Sequence, residues 1–425
     1  TQMVDAKLNK KMYLAFLMLG FGSFVTYYSV MAQTNYWNQF YDGQITTILS
    51  TAYCIAEIFG GLLVIPMEKR MSKRAMAMVH YIGSMVLIGS LVPMKFIPNF
   101  KAKYYLTIVP VFLCGVTVSI VNALLIAVSQ SVNENCTNAQ AVGIGLCTIV
   151  ITAIQDLITL VFNTSKTSPS YLQSLVNNAL LYYGITIAVL AFCVWVWFWL
   201  EKQLGKIKEQ KLQKEMKLTL LQDDVTDVLE ADVSVPLPNH SLVTTNKKSV
   251  GRKIAFVASG TAMNNIVTYS MFPLFTLKVP CRALALRGEL QNDWWTLGVL
   301  TVQMLTDFCG RMLPRWERLT KKFTPTAIGI LCYSRLIFVV LFPLMSLPVA
   351  KFENGQFKAP LISNDVVFAL CLVLFSFSQS YGQTLALMRY QTVCANEQEK
   401  TRGGFLMNIW SCVGLALSGA VNFGT

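Results

Sequence analysis

Histidine is almost missing from this chain: 425 residues contain two, His80 and His240. Histidine-based metal and acid–base chemistry is therefore not expected. Charge is scarce too. Asp, Glu, Lys and Arg make up 13% of the residues, whereas a soluble domain carries about 25%. The 11 cysteines include no CxxC pair and no Cys/His cluster at zinc spacing. Most of them (Cys54, Cys114, Cys147, Cys193, Cys309, Cys332, Cys371, Cys412) fall inside apolar runs and read as small buried hydrophobes. There is no G-x-x-x-x-G-K-S/T loop, which excludes a P-loop ATP-driven pump. No G-x-S-x-G, H-E-x-x-H or kinase-like set occurs, and no clustered Ser/His/Asp constellation of the kind an intramembrane enzyme needs. The expectation is a protein that is not an enzyme, with no metal and no cofactor.

What fills the chain instead is apolar sequence. Hydrophobic residues make up 54%, and the mean hydropathy is +0.49. They come in long runs rather than in period-2 or period-3.6 stripes. Runs of about 20 residues are what a hydrocarbon core roughly 30 Å thick demands of a helix. The expected fold is therefore an all-α membrane protein with eleven transmembrane helices: 12–33, 44–66, 75–97, 104–131, 139–163, 175–200, 253–278, 292–316, 324–347, 363–390 and 401–424. The net charge of +13 does not point to a nucleic-acid partner, because Lys and Arg cluster in the connections. With the N-terminus placed in the cytoplasm, inside connections hold 25 of them and outside connections 9. That asymmetry favours a cytoplasmic N-terminus and an extracellular C-terminus. It also puts the sequon Asn163-Thr164-Ser165 outside, where a glycan could be added, and Asn239-His240-Ser241 inside.

The segment 201–252 differs in kind. It is polar, rich in Lys, and carries Pro236 and Pro238. It is expected to be a largely flexible cytoplasmic loop, with Lys206–Lys217 able to form a basic surface helix. It divides the chain into six spans (1–200) and five (253–425), which suggests two helical bundles with a substrate site between them.

Polar groups within spans mark where such a site would lie, since charge at bilayer depth is costly. In the eighth span Gln303, Asp307 and Arg311 fall four apart and share a helix face. Asp307 and Arg311 can pair; the pair either stabilises the helix end or leaves donors and acceptors for a ligand. The tenth span sets Ser376, Gln379 and Gln383 on one face, and the fourth carries Ser119, Asn122, Ser129 and Gln130. Such amides can match the edge of a heterocyclic base and can equally tie helices together. Glu57 in the second span and Asp156 in the fifth could each carry a proton or pair with another helix. Arg335 in the ninth is available to neutralise one of them. In the first span Gly20 and Gly22 permit close approach, and Phe24, Tyr27 and Tyr28 follow, able to stack on a base or to pack a core.

Five motifs in order give the chain a family resemblance. Asp307-Phe308-Cys309-Gly310-Arg311 fits Asp-x-x-Gly-Arg of the equilibrative nucleoside transporter family. Ser334-Arg335-Leu336-Ile337-Phe338-Val339 is similar to that family's Ala-Arg-Leu-Val-Phe-Val, and Phe375-Ser376-Phe377-Ser378-Gln379-Ser380-Tyr381 to its Phe-x-Phe-Ser-Asn-Gly-Tyr. Gly414-Leu415-Ala416-Leu417-Ser418-Gly419-Ala420 resembles its Gly-Leu-x-x-Gly-Ala with one residue inserted, and the seventh span carries Met271-Phe272-Pro273. The resemblance implies a fold similar to the major facilitator architecture and facilitated diffusion of nucleosides and nucleobases by alternating access. It implies that Arg311 bonds ribose hydroxyls, that Asp307 holds Arg311, and that Asn122 stands where the family has a base-reading Gln. The family's Pro-Trp-Asn is here Thr26-Tyr27-Tyr28, so Tyr27 retains stacking and Tyr28 loses an amide. Phe24 and Met31 would add apolar contacts, with Gln303 and Gln379 as further polar lining. These departures mark a divergent member.

The expected cycle brings a nucleoside or nucleobase between the bundles of a monomer in the plasma membrane, with no nucleic acid bound. The rival readings are a proton-coupled symporter using Glu57 or Asp156, and a membrane receptor that binds ligands without moving them.

Overall fold

A computed structural model of the protein describes residues 2–41, 45–161, 170–229, 249–272, 275–276, 279–285, 293–320, 322–347, 351–353, 356–358 and 360–423. In chain order the helices are α1 (Gln2–Ala32), α2 (Thr34–Phe40), α3 (Ile45–Arg70), α4 (Lys73–Leu91), α5 (Phe100–Val132), α6 (Glu134–Val161) and α7 (Tyr171–Leu229). Then come α8 (Ser249–Met271), α9 (Arg282–Ala285), α10 (Asp293–Met312), α11 (Glu317–Thr320), α12 (Pro325–Ser334), α13 (Ile337–Ser346), α14 (Asp365–Arg389) and α15 (Glu397–Phe423). The one sheet among the described residues is an antiparallel hairpin, β1 (Lys351–Glu353) with β2 (Gln356–Lys358), in whose register the backbone of Phe352 pairs with that of Phe357. It links α13 to α14.

Several helix starts are written in the chain. Ser72, Asn99, Thr324 and Asn364 cap α4, α5, α12 and α14 by accepting backbone N–H groups three residues on, at 3.1, 3.1, 3.2 and 3.2 Å. Thr324 is followed by Pro325, whose missing N–H costs nothing at a first helical position.

Eight stretches are long and apolar enough to cross a membrane: Lys10–Ala32, Ile45–Arg70, Lys73–Phe96, Phe100–Val132, Glu134–Ile158, Tyr171–Ile207, Pro325–Ser346 and Asp365–Val393. Large apolar side chains such as Phe59, Leu62, Val86, Leu106, Val366 and Leu370 are exposed on them, as a lipid-facing surface requires. Helices α8, α10 and α15 occupy the other three expected positions. They carry Asn264 and Asn265, Asp307 and Arg311, and Glu399, Arg402 and Asn408, which lower their apolarity. Length and apolarity support eight crossings, and the count of eleven remains an expectation at these three helices.

α1 packs on α6, α3 on α5, α4 on α5 and α7, α8 on α12 and α15, and α10 on α14. One apolar core is built from residues between Met12 and Leu200, with Phe405 added. Two smaller cores lie in the second half, one around Leu385 and Tyr390 and one around Phe342 and Phe375. α15 also rests on α3 and α5, and α10 on α6, so these five helices join the halves of the chain.

The start of the expected loop is helical. α7 runs for 59 residues to Leu229 without a break. From Glu201 to Leu229 the chain is rich in Lys, Glu, Gln and Leu and has no proline, so it propagates a helix well. The sequon at Asn163 and most of the remaining loop, 230–248, lie outside the described residues.

Candidate functional site

Eight helices converge on a central cavity that both aromatic and polar side chains line. Close approach of α1 and α6 makes one wall. A Cβ at Gly20 would run into the backbone of Gln140, and one at Gly143 into that of Leu17. This contact brings Gln140 up beside the aromatic group that follows on α1. Tyr27 and Tyr28 meet edge-on with ring centres 5.3 Å apart, and Tyr27 leans on Tyr53 of α3 at 4.7 Å. Phe24, Tyr27, Tyr28 and Tyr53 all line the cavity, offering aromatic faces and edges to a planar ligand.

Arg311 reaches the cavity from α10. Its Nε donates to Asp307 Oδ2 at 2.8 Å and its Nη2 to Oδ1 at 3.4 Å. The i,i+4 spacing on one helix makes this fork possible. Room for the guanidinium comes from Gly145 on α6, where a Cβ would lie 2.8 Å from Arg311 Cδ. Nη1 makes no hydrogen bond among the described residues. The Arg311 backbone carbonyl accepts from Asn138 Nδ2 at 2.8 Å, which ties α10 to α6.

A chain of amides crosses the cavity from α15 to α6. Asn408 Nδ2 donates to the Ser119 carbonyl at 3.3 Å and to Ser119 Oγ at 3.2 Å. Asn122 Nδ2 donates to Asn408 Oδ1 at 3.3 Å, and Gln140 Nε2 to Asn122 Oδ1 at 2.7 Å. Beside it Cys412 Sγ lies 3.3 Å from Ser119 Oγ and 3.9 Å from Glu57 Oε2. Glu57 is 5% exposed, lines the cavity, and forms no ion pair among the described residues.

A second polar chain starts from Arg335, which is 1% exposed. Its Nη1 donates to Asn264 O, Asn264 Oδ1 and Thr268 Oγ1, its Nε to Ser378 Oγ at 3.0 Å, and its Nη2 to the Phe375 carbonyl at 3.0 Å. Asn264 Nδ2 then donates to Gln379 O and Gln383 Oε1, and Gln383 Nε2 to Ser411 Oγ at 3.0 Å. Asn265 Nδ2 donates to the same Ser411 Oγ at 2.8 Å. An oxygen that accepts twice keeps its own proton to donate, and Ser411 faces the cavity.

The two ends of the cavity differ. Toward one end it shares Tyr27, Cys54 and Tyr269 with a wider space lined by Met31, Thr47, Ser50 and Phe272. At the other end the halves are joined. The Tyr390 hydroxyl bonds Gln130 Oε1 and donates to the Lys400 carbonyl at 2.8 Å. Gln130 Nε2 donates to Leu387 O at 3.1 Å, Arg389 Nη1 lies 3.8 Å from Glu134 Oε2, and Arg315 sits 4.7 Å over the ring of Tyr13.

The sequence model of the family described as "Nucleoside transporter" matches residues 108–423. The chain belongs to the nucleoside transporter family. It is 24% identical over 340 residues to "Equilibrative nucleotide transporter 8" of Arabidopsis thaliana, covering 78% of this chain and 76% of that one. It is 20% identical over 221 residues to "Nucleoside transporter FUN26" of Saccharomyces cerevisiae, covering 52% of this chain and 40% of that one. Among solved structures it resembles the E. coli fucose:proton symporter FucP, with a TM-score of 0.53 at 14% identity over 96% of this chain and 95% of that chain. It also resembles the proton:xylose symporter XylE, with a TM-score of 0.50 at 12% identity over 96% and 94%. The fold is therefore that of the major facilitator transporters, and the family is one of transporters, not enzymes.

Within this nucleoside transporter the expected site residues separate. Phe24, Tyr27, Tyr28, Asn122, Arg311, Gln379 and Glu57 line the central cavity, and Asp307 stands behind Arg311. Met31, one helical turn beyond Tyr27, lines the wider end space instead. Gln303 does not reach the cavity: two steps of four residues from Arg311 carry it about 12 Å along α10 and rotate it by roughly 80°. Asp156 is exposed and does not face the cavity. Arg335 neutralises neither carboxylate, since its partners are neutral oxygens. Sequence reasoning missed Gln140, Tyr53, Asn265, Asn408, Ser411 and Cys412. The adjacent amides Asn264-Asn265 in an apolar helix were a usable signal. The others look like ordinary polar positions until the helices are assembled.

Proposed function

We propose that this chain carries nucleosides, and nucleobases with them, down their gradients by alternating access of two bundles, 1–200 and 253–425. The observation that supports this most is Arg311: a guanidinium pre-set by Asp307, with one nitrogen unbonded among the described residues, on a cavity that Phe24, Tyr27, Tyr28 and Tyr53 also line. A planar donor fork suits vicinal hydroxyls, and stacked aromatic rings suit a base.

The Arabidopsis relative is named for nucleotides, the yeast one for nucleosides. The charge of this cavity favours nucleosides. Its charged lining residues are Arg311 and Glu57, and Arg311 is already paired with Asp307. No positive charge is in surplus for a phosphate, which prefers uncommitted Arg or Lys. Substrate enters through the space lined by Met31 and Thr47, which faces the outside if the N-terminus is cytoplasmic and the C-terminus extracellular. The Tyr390–Gln130 end is then the cytoplasmic seal. The protein works as a monomer in the plasma membrane. Binding drives the change of state only by the difference in its affinity for the two states.

Uptake of radiolabelled inosine, adenosine, uridine and hypoxanthine into proteoliposomes tests this. The expected result is saturable uptake that stops at equal concentrations and is lost in Arg311→Ala. Accumulation that requires an inward proton gradient would move the mechanism to symport through Glu57, the one of the two expected coupling carboxylates that lines the cavity. Normal uptake by Arg311→Ala would remove the ribose assignment.

A further inference from the structure

We propose that Gln140 reads the base: its Oε1 accepts a hydrogen bond from an N–H on the edge of the bound base. The inference rests on the nucleoside-transport reading above and adds the residue that sets substrate choice.

The argument starts from a group that has no choice. The Ser119 backbone carbonyl can only accept. Asn408 must therefore turn its Nδ2 toward it, which leaves Asn408 Oδ1 facing Asn122. Asn122 must then present Nδ2 to Asn408 and Oδ1 to Gln140. Gln140 must in turn present Nε2 to Asn122, and it reaches the Asn122 backbone carbonyl as well, at 3.5 Å. One fixed acceptor thus orients three amides, whose O and N positions would otherwise be open to exchange. What is left over at the end of the relay is Gln140 Oε1. It is buried and has no partner among the described residues, on a side chain that is 3% exposed and lines the cavity. A buried acceptor without a donor is a standing cost that a ligand N–H would remove.

The place fits a base. Gln140 touches α1 at Gly20, one turn before Phe24. Further along the same helix, Gly145 houses Arg311. Five residues separate the two positions by ~7 Å along the α6 axis, a separation on the scale of a nucleoside. Asn122, where the family resemblance places the reading amide, has both its oxygen and its nitrogen engaged inside the protein. It acts as a positioning residue for Gln140.

The test is competition and uptake in proteoliposomes of the full chain with adenosine, inosine and purine riboside. Purine riboside keeps ring and ribose but has neither a 6-amino group nor a ring N–H. The native chain is expected to favour adenosine and inosine over purine riboside by about tenfold in kcat/KM, the effect of leaving one buried acceptor unpaired. In Gln140→Met, similar in length and apolar, that ratio is expected to fall to about one while the preference for ribosides over 2′-deoxyribosides stays. Equal handling of the three by the native chain overturns the inference, whatever the variant does. So does a Gln140→Met protein that keeps the tenfold ratio, or one that loses the ribose preference instead. If no nucleoside enters with the native chain, the transport reading falls and takes this inference with it. A ratio near one among nucleosides that do enter removes this inference alone.

Discussion

Two arginines lie inside the second half of the molecule, and their surroundings are opposite. Arg335 is 1% exposed and spends its donors on five neutral oxygens of α8 and α14, with no carboxylate among them. Arg311 is paired with Asp307, and its side chain stays 13% exposed, with Nη1 making no hydrogen bond among the described residues. Burial of charge is thus no sign of function by itself. The saturated guanidinium is a brace that fixes where α12 turns into α13 against α8 and α14. The under-satisfied one is, on the function proposed above, the part left open for substrate. Both serve the site, Arg335 indirectly: its Nη1 sets the orientation of Asn264, hence of Gln383, hence of the free proton on Ser411.

The comparison breaks most clearly if the two arginines are removed in turn. Arg335→Leu is expected to cost about 3 kcal/mol or more, because Asn264, Thr268 and the Phe375 carbonyl are left buried and unpaired. Thermal unfolding and size-exclusion profiles in detergent should show it, with transport lost for want of folded protein. Arg311→Ala is expected to keep the fold within about 1 kcal/mol, since Asp307 is 18% exposed and water can take over the fork. Its nucleoside kcat/KM should drop by about 100-fold or more. Arg311→Lys should lose about tenfold, because a point charge cannot hold Asp307 and a hydroxyl pair at once. If both arginine removals lower stability equally, the distinction between brace and site is wrong.

The brace and the site were not equally legible in the sequence. Run length placed helices where they are, because a span must hide its own backbone from lipid and so must be long, apolar and helical. The Asp307–Arg311 pair was legible because both ends sit on one helix at a spacing that makes them neighbours. Gln303 looked like a third member of that set, but the drift of 100° per residue turns it away over eight residues. The relay from Ser119 through Asn408 and Asn122 to Gln140 was not legible. Its four residues come from α5, α15, α5 and α6, and only packing tells which amides meet. Arg335 was visible as an intramembrane charge, yet its partners are backbone carbonyls and hydroxyls, which carry no charge pattern to search for. After Leu200 composition allowed a basic helix over Lys206–Lys217 but did not reveal that α7 continues unbroken to Leu229: polarity bears on leaving the membrane, not on ceasing to be helical.

A smaller effect sharpens the contrast between the ends of the cavity. Tyr390→Phe removes the hydroxyl that joins Gln130 of α5 to Lys400 of α15 while keeping the buried ring. Losing one such bond is worth about 1 kcal/mol, which shifts a two-state balance roughly fivefold toward the state open at that end. Thiol labelling of a cysteine placed at Ser131, which lines the space at that end, would rise by that factor, and adding substrate should reverse part of it. Unchanged labelling would mean that the Glu134–Arg389 and Tyr13–Arg315 contacts carry the seal.

The smallest expected effect concerns the carboxylate that the structure sets apart. Asp156 is exposed, so Asp156→Asn should leave stability within about 0.5 kcal/mol and uptake unchanged at every pH tested. Glu57→Gln, one methylene longer than the Asp156 change but inside the cavity beside Cys412, should alter substrate affinity, because it removes a carboxyl group from the lining that substrate meets on the proposed reading. The pair of variants separates position from chemistry: the same loss of a carboxylate is made twice, once facing outward and once facing the substrate. If Asp156→Asn instead abolishes uptake and Glu57→Gln does not, the cavity drawn here is not the one through which substrate passes.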